Sequence, residues 1–159
     1  MVMCNHSVGE ATLGLQWHVL GMFVPSFITG NLIARYGAPR MIAIGLSLLL
    51  LCGIIGVTGV TLWHFWLELV LLGVGWNFGF IGATTLVTQC HQPNERNRVQ
   101  AFNDFLVFGS MAIASFASGK LLDTFGWNVV NEVIFPVVLA AGALLVWGVI
   151  RARRDLLAA

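Results

Sequence analysis

Charged residues are scarce in this chain: Asp, Glu, Lys and Arg together make up 9% of its 159 residues, against roughly 25% in soluble domains. Apolar residues account for 58%, which a globule of this size could not bury because its surface-to-volume ratio is too high. The formal net charge is +1, without the basic excess of nucleic-acid-binding proteins. The composition therefore excludes a soluble enzyme, a disordered segment and a nucleic-acid partner, and it predicts a membrane protein.

Residues that hold metals or nucleotides are also sparse. The chain has three cysteines and no Cys-x-x-Cys pair, and adjacent Cys90 and His91 cannot close a tetrahedral site by themselves. Ser118-Gly-Lys120 resembles the end of a P-loop, but the preceding glycine and the following hydroxyl residue are missing. We expect no metal, no cofactor and no catalytic constellation, and so no enzyme.

Long apolar runs, by contrast, recur along the chain. A helix needs about 20 residues to cross ~30 Å of hydrocarbon, and no run shows the alternation of a transmembrane barrel strand. We therefore predict an all-α, polytopic transmembrane helix bundle at 13–150, after a polar outer segment at 1–12 and before a basic tail at 151–159. The five predicted spans, numbered in chain order, are Leu13–Ala34, Met41–Val60, Trp66–Thr88, Ala101–Leu122 and Val133–Ile150.

Basic residues are distributed unevenly over the connections. Seven of the eight Lys and Arg residues fall at 35–40, at 89–100 or in the tail at 151–159, which lie on one side of a five-span bundle. Lys120 alone lies near the other side. The positive-inside rule places the arginine-rich side in the cytoplasm. We therefore predict an outer N-terminus, a cytoplasmic C-terminus and a multi-pass location in the inner cell membrane.

Small residues and prolines mark helix contacts and helix breaks. Gly75 and Gly79 form a G-x-x-x-G pair in span 3, and span 4 is small on nearly every face. Such residues let helices approach closely in lipid, either within the bundle or against a partner. Pro25 in span 1 and Pro136 near the start of span 5 each remove a backbone donor. We expect a kink at both, either static or lining a cavity as in transporters.

The turn between spans 1 and 2, residues 30–40, reads GNLIARYGAPR. Gly37 suits a helix stop and Pro39 the first turn of the next helix, while Gly30 is expected to let the two helices approach. The stretch resembles the signature loop of the major facilitator superfamily, G-x-L-x-[DN]-R-x-G-[RK]-[RK]. The matching positions are Gly30, Leu32, Arg35 and Gly37, with Arg40 one place beyond the second basic position and Ala34, Ala38 and Pro39 as departures.

Further landmarks follow in the order and spacing of that family. Pro93-Asn-Glu-Arg96 resembles the P-x-x-R turn after the tenth helix, and Gly126-Trp127 resembles the G-W before the last helix. Span 3 lacks the arginine usual in the fourth helix of the N-terminal half. The resemblance covers 13–154 and implies the C-terminal half, helices 8 to 12. It implies a truncated fragment or one part of a split transporter, with residues 1–3 as a remnant of helix 7.

Polar groups inside apolar spans are costly and are therefore candidate functional residues. Asn77 needs a cavity or a partner group in mid-span, and a substrate contact is one of the two readings. Trp76 is suited to stacking on a substrate ring or to simple packing. His18, with an unperturbed pKa of about 6.5, is suited to proton coupling or to bonding a neighbouring carbonyl. The substrate-cavity candidates are Gln16, His18, Trp76 and Asn77.

A second polar group lies at the predicted cytoplasmic start of span 4. Asn103 and Asp104 are expected in its first turn, where an acid complements the helix dipole. The alternative is a charge pair of Asp104 with Arg35, Arg96 or Arg98 that holds an inner gate shut. The gate candidates are Asn103, Asp104, Arg96 and Arg98.

The resemblance implies transport of a small solute of unidentified identity by alternating access, in a secondary transporter embedded in the lipid bilayer. Spans 1, 3 and 4 are expected to face the central cavity. A complementary transporter half is the expected partner, because substrate sites in this fold lie between halves. Proton coupling is one option for its energy source. The alternative is a non-transporting truncated fragment or a small structural multi-pass membrane protein.

Overall fold

The computed structural model describes residue 1 and residues 4–158, and the seven regular elements in that part of the chain are all α-helices. Five stretches are long and apolar enough to cross a membrane, which confirms the all-α, five-span prediction. Residues 2 and 3 of the expected helix 7 remnant lie outside the described residues. The helices are α1 (Val8–Phe23), α2 (Ser26–Tyr36), α3 (Ala38–Thr58), α4 (Leu62–Thr88), α5 (Arg96–Phe125), α6 (Trp127–Glu132) and α7 (Ile134–Ala158).

Span 1 consists of α1 and α2, and its helix begins earlier than the apolar run. Ser7 caps α1, because its Oγ accepts a hydrogen bond from Glu10 N at 3.2 Å. The Glu10 carboxylate accepts in return from Ser7 N at 2.8 Å. This capping box satisfies two helix-end donors at once. The polar segment predicted at 1–12 therefore contains the first turn of a helix.

The two prolines inside predicted spans, Pro25 and Pro136, lie at or near helix breaks. α1 ends at Phe23 and α2 begins at Ser26, as expected for Pro25, which has no N–H to donate. In span 5 the break falls at Val133, three residues before Pro136. A proline ring clashes with the carbonyl four residues earlier, so the helix is interrupted ahead of the proline.

The turn between spans 1 and 2 follows its sequence except at Gly30. Gly37 has a φ of +87° and donates its N–H to Ile33 O at 2.8 Å, and Pro39 lies in the first turn of α3. The expectation that Gly30 lets the two helices approach is wrong. A Cβ at Gly30 would meet no atom within 4 Å, because this residue lies on the exposed face of α2.

The core is formed by α1, α3 and α4, which cross with their backbones in close contact. A Cβ added at Gly45 of α3 would lie 2.8 Å from Gly75 O and 2.9 Å from Gly79 N of α4. On the other side of α4, a Cβ at Gly73 would clash with His18 O of α1. Glycine is thus required at both crossings. Of the G-x-x-x-G pair, Gly75 has the predicted packing role, since its Cβ would lie 3.0 Å from Gly45 O, whereas a Cβ at Gly79 would meet no atom within 4 Å.

Span 4 behaves differently from span 3. None of the residues of α5 is buried, and a Cβ at Gly109 or Gly119 would meet no atom within 4 Å. Within the part of the chain that the structure describes, the small residues of α5 therefore do not make a tight helix contact. Of the two readings of these residues, close contact within the bundle does not hold for α5. Contact with a partner or with lipid remains.

We expect Gly45→Ala to destabilise the bundle by about 1–3 kcal/mol, the usual cost of overpacking, because the added methyl meets backbone atoms that cannot rotate away. The matched variant is Gly119→Ala, which adds the same methyl in open space and should cause no loss. Unfolding in mixed micelles at increasing sodium dodecyl sulfate measures both. Equal stability of the two variants would contradict the α3–α4 crossing described above.

Candidate functional site

The helix break at Pro25 exposes backbone groups inside an apolar span. Hydrocarbon offers no hydrogen-bond partner, so each freed carbonyl costs several kcal/mol, on the order of the transfer penalty of a peptide group. Neighbouring helices commonly satisfy such groups with polar side chains. The break therefore requires a partner on the helix packed against it, which is α4.

Asn77 of α4 is that partner. Its side chain is 3% exposed, and Nδ2 donates to Met22 O and to Ser26 Oγ, each at 2.7 Å. Thr29 Oγ1 lies 2.7 Å from Asn77 Oδ1 and 2.8 Å from Pro25 O, so its single proton is divided between two acceptors. Because Met22 O can only accept, the amide nitrogen must face it, which fixes the orientation of the amide.

A cavity of about 230 Å³ lies beside this network, between span 1, α4 and α5. Its wall includes Ser26, Trp76, Asn77, Phe80 and Phe108. The rings of Trp76 and Phe80 are stacked at 5.7 Å between centroids with planes 11° apart. Phe108 of α5 lies 6.4 Å from Phe80 at 55°. The cavity therefore combines an aromatic wall, two of whose rings stack on each other, with a small polar edge.

Two of the four predicted cavity residues lie on this wall and two do not. Trp76 and Asn77 line the cavity. Gln16 is exposed on α1, and His18 is half-buried with Nδ1 2.9 Å from Leu69 O. The structure thus separates His18 and Gln16 from the cavity, while a substrate role for any of the four stays a prediction.

Ser26 and Thr29 were missed at the sequence level. Both follow Pro25 within one helical turn, and Thr29 is completely buried. A hydroxyl residue four positions after a proline can bond the proline carbonyl, as Thr29 does here. Polar residues immediately after a mid-span proline are the signal that could have identified them.

Comparison of the amino-acid sequence with known proteins identifies its family. The model of the Major Facilitator Superfamily matches residues 5–157. The chain belongs to the Major Facilitator Superfamily. Its five spans are therefore those of a membrane transporter family, as the sequence resemblance implied, while the assignment of residues 30–40 as the signature loop stays a prediction.

Curated relatives of this superfamily member are transporters by name. It is 53% identical to the riboflavin transporter RfnT of Brucella anthropi over 138 residues, which is 87% of this chain and 35% of the relative. The uncharacterized MFS-type transporter YdeG of Bacillus subtilis is 33% identical over 74% of the chain and 28% of its own length. The drug efflux pump JefA of Mycobacterium tuberculosis is 31% identical over 86% and 28%.

The chain thus spans about a third of the length of the curated relatives it matches. No solved structure matches it. Within the described residues, no group of three or more His, Cys, Asp or Glu side chains could hold a metal ion.

The predicted gate of this superfamily member lies deeper in its helix than expected. α5 begins at Arg96, so the expectation that Asp104 lies in the first turn is wrong, because the helix extends into the polar connection. Asp104 Oδ1 accepts from Gln100 Nε2 at 3.1 Å and from Asn103 Nδ2 at 3.3 Å. Arg96 and Arg98 are exposed. A gate role for these residues stays a prediction.

The signature-loop residues form an exposed turn. Arg35 and Arg40 are exposed, and Leu32 and Gly37 are half-buried. The Arg35 guanidinium lies 5.3 Å from the centre of the Tyr36 ring, within the range of a cation–π contact. The loop therefore presents two cations on the side of the bundle predicted to face the cytoplasm.

We expect Asn77→Ala to destabilise the protein by about 1–3 kcal/mol for each buried polar group that it leaves unpaired. The loss should shrink in a Pro25→Ala background, because the restored helix bonds its own carbonyls and no longer depends on Asn77. A double-mutant cycle of micelle unfolding free energies measures this coupling. Exposed Asn97→Ala is the control. An equal loss in both backgrounds would show that Asn77 does not act on the break.

Proposed function

We propose that this chain is part of a secondary transporter that moves a small solute across the inner cell membrane by alternating access. The observation that carries the proposal is the 53% identity to a riboflavin transporter over 87% of the chain. At that similarity we propose riboflavin, or a closely related flat heterocycle, as the solute. The aromatic wall of Trp76 and Phe80 supports a substrate with a planar ring.

Transport requires more protein than this chain. Substrate sites in carriers of this kind lie at the interface between repeats, and the chain spans about a third of its relatives. We propose that a complementary transporter part completes the site, with the outer N-terminus and cytoplasmic C-terminus that the arginine distribution predicts. The small residues of α5, none of which is buried, support a contact with that part.

Two finer elements complete the proposal. Asp104 and Asn103, with Arg96 and Arg98, act as an inner gate when the carrier changes between its outward-facing and inward-facing states. Proton coupling through His18 requires the imidazole to leave Leu69 O, to which it lies 2.9 Å away. Dependence of uptake on an imposed pH gradient tests this coupling directly.

Drug efflux is the second candidate, favoured by the 31% identity to the drug efflux pump JefA over 86% of the chain. A cavity with an aromatic wall suits a planar drug as well as a flavin. The two candidates differ in the direction of net transport, which an uptake assay distinguishes.

We expect a hybrid carrier, in which this chain replaces the matching 138 residues of the Brucella anthropi transporter, to restore saturable uptake of radiolabelled riboflavin. The host is a riboflavin auxotroph without its own transporter. The chain expressed alone is the control and should show no saturable uptake, because it lacks the facing half of the site. A fluorescent tag compares the amounts of each protein in the membrane.

A hybrid present at the level of the intact relative but no more active than empty vector would overturn the riboflavin proposal. Lowered accumulation of a planar dye in the same cells would then support drug efflux. No change in either assay would favour a non-transporting protein.

A further inference from the structure

The hydrogen-bonding capacity of Asn77 is almost fully used within the protein. Its two amide protons are donated to Met22 O and Ser26 Oγ, each at 2.7 Å. Its oxygen lies 2.7 Å from the Thr29 hydroxyl. An amide has two protons to donate, so none remains for a ligand. Asn77 lies on the cavity wall, but it cannot act as a hydrogen-bond donor to a substrate without releasing the helix break.

Ser26, unlike Asn77, still has a proton to donate. Its Oγ accepts the proton of Asn77, which leaves its own hydroxyl proton to be donated elsewhere. A helical serine can bond the carbonyl four residues earlier, here Met22 O, which accepts from Asn77 and has a second lone pair. Within the described residues, however, Ser26 Oγ takes part only as the acceptor from Asn77. The side chain is exposed and lines the cavity. The Ser26 hydroxyl is therefore the donor that this part of the wall offers to a ligand.

The remaining wall is aromatic. Trp76 and Phe80 of α4 stack on each other with their planes 11° apart, and Phe108 of α5 lies at 55° to the Phe80 ring. Aromatic rings favour offset-stacked or edge-to-face partners at about 4.5–7 Å. At about 230 Å³, the cavity is smaller than the roughly 300–1,000 Å³ of sites that enclose drug-sized ligands. A ring system is therefore the largest part of such a ligand that the cavity can hold, and substituents of that ring must extend outside it.

We infer that this cavity binds the planar heteroaromatic ring of the transported solute. The ring extends the stack that Trp76 and Phe80 form, by packing on the face of Trp76, and a ring carbonyl accepts a hydrogen bond from the Ser26 hydroxyl. Asn77 is a positioning residue, since it fixes Ser26 and the break without touching the ring. The inference rests on the proposed transport function and assigns to it the class of substrate and the residues that select it.

The chemistry of the wall favours a ring over a lipid acyl chain. An acyl chain gains dispersion energy on the aromatic faces but no ring stacking, and it has no group along its methylenes that accepts the Ser26 proton. A carbonyl-bearing heterocycle satisfies both features. Occupation by an acyl chain is one outcome that the following test distinguishes.

The test uses three competitors of riboflavin uptake by the hybrid carrier. Lumiflavin carries the tricyclic ring and its carbonyls without the sugar-alcohol chain, anthracene is a flat tricycle without any hydrogen-bond acceptor, and ribitol is the chain alone. We expect lumiflavin and anthracene to compete, lumiflavin more strongly, and ribitol not to compete. Quenching of lumiflavin fluorescence by the purified hybrid measures the same binding without transport.

The variants separate stacking from hydrogen bonding. Ser26→Ala should weaken lumiflavin binding roughly 2- to 12-fold, the effect of one hydrogen bond, and leave anthracene unchanged. Ser26→Thr keeps the hydroxyl and should restore most of the loss. Trp76→Leu should weaken both ligands, by about tenfold if stacking is lost. Phe116→Leu, at a position 84% exposed on α5, is the matched control and should change neither.

The results distinguish failure of this inference from failure of the proposed function. Riboflavin uptake that neither lumiflavin nor anthracene inhibits would overturn the ring site and favour an acyl chain in the cavity. Equal effects of Ser26→Ala on lumiflavin and anthracene would overturn the role of Ser26. A hybrid that binds lumiflavin through Trp76 but does not transport riboflavin would overturn the proposed function and retain the ring site. Absence of both activities would overturn both.

Discussion

The break of span 1 at Pro25, and the amide that satisfies it, is the constraint on which the rest of the site depends. In hydrocarbon, a carbonyl that has lost its helical N–H partner has no water from which to accept a hydrogen bond. A broken helix is therefore stable only where another group supplies a donor. Asn77 does so with bonds of 2.7 Å to Met22 O and Ser26 Oγ. The same amide therefore fixes the position of α4 against span 1 and leaves Trp76, its neighbour in sequence, on the cavity wall.

Close glycine crossings make this arrangement possible. The bond from Asn77 to Met22 O on the α1 backbone requires α4 to lie close to α1. Gly73 provides this approach, since a Cβ there would clash with His18 O. Gly45 does the same between α3 and α4. Because small residues supply the contact that hydrophobic burial cannot supply in lipid, packing and polar satisfaction are coupled at one face of α4.

Local features were predictable from the sequence, and pairings between distant residues were not. Five apolar runs, the break at Pro25 and the positive φ of Gly37 follow from length, a missing N–H and a missing Cβ. Asn77 was recognisable as a costly group in mid-span, but its partners lie about 50 residues away in sequence. Asp104 was misplaced for a related reason, because α5 continues through polar residues that composition assigned to the connection.

The contrast between α4 and α5 bears on how a transporter of this family works. α4 is joined to span 1 through close backbone contacts and buried hydrogen bonds. α5 has no buried residue and contributes Phe108 to the cavity. If the proposed transport proceeds by alternating access, which rocks one group of helices against another, a shift of α5 would leave the contacts between α4 and span 1 unbroken. The proposed ring would then keep its stacking contact on α4 while the α5 side of the cavity adjusts around it.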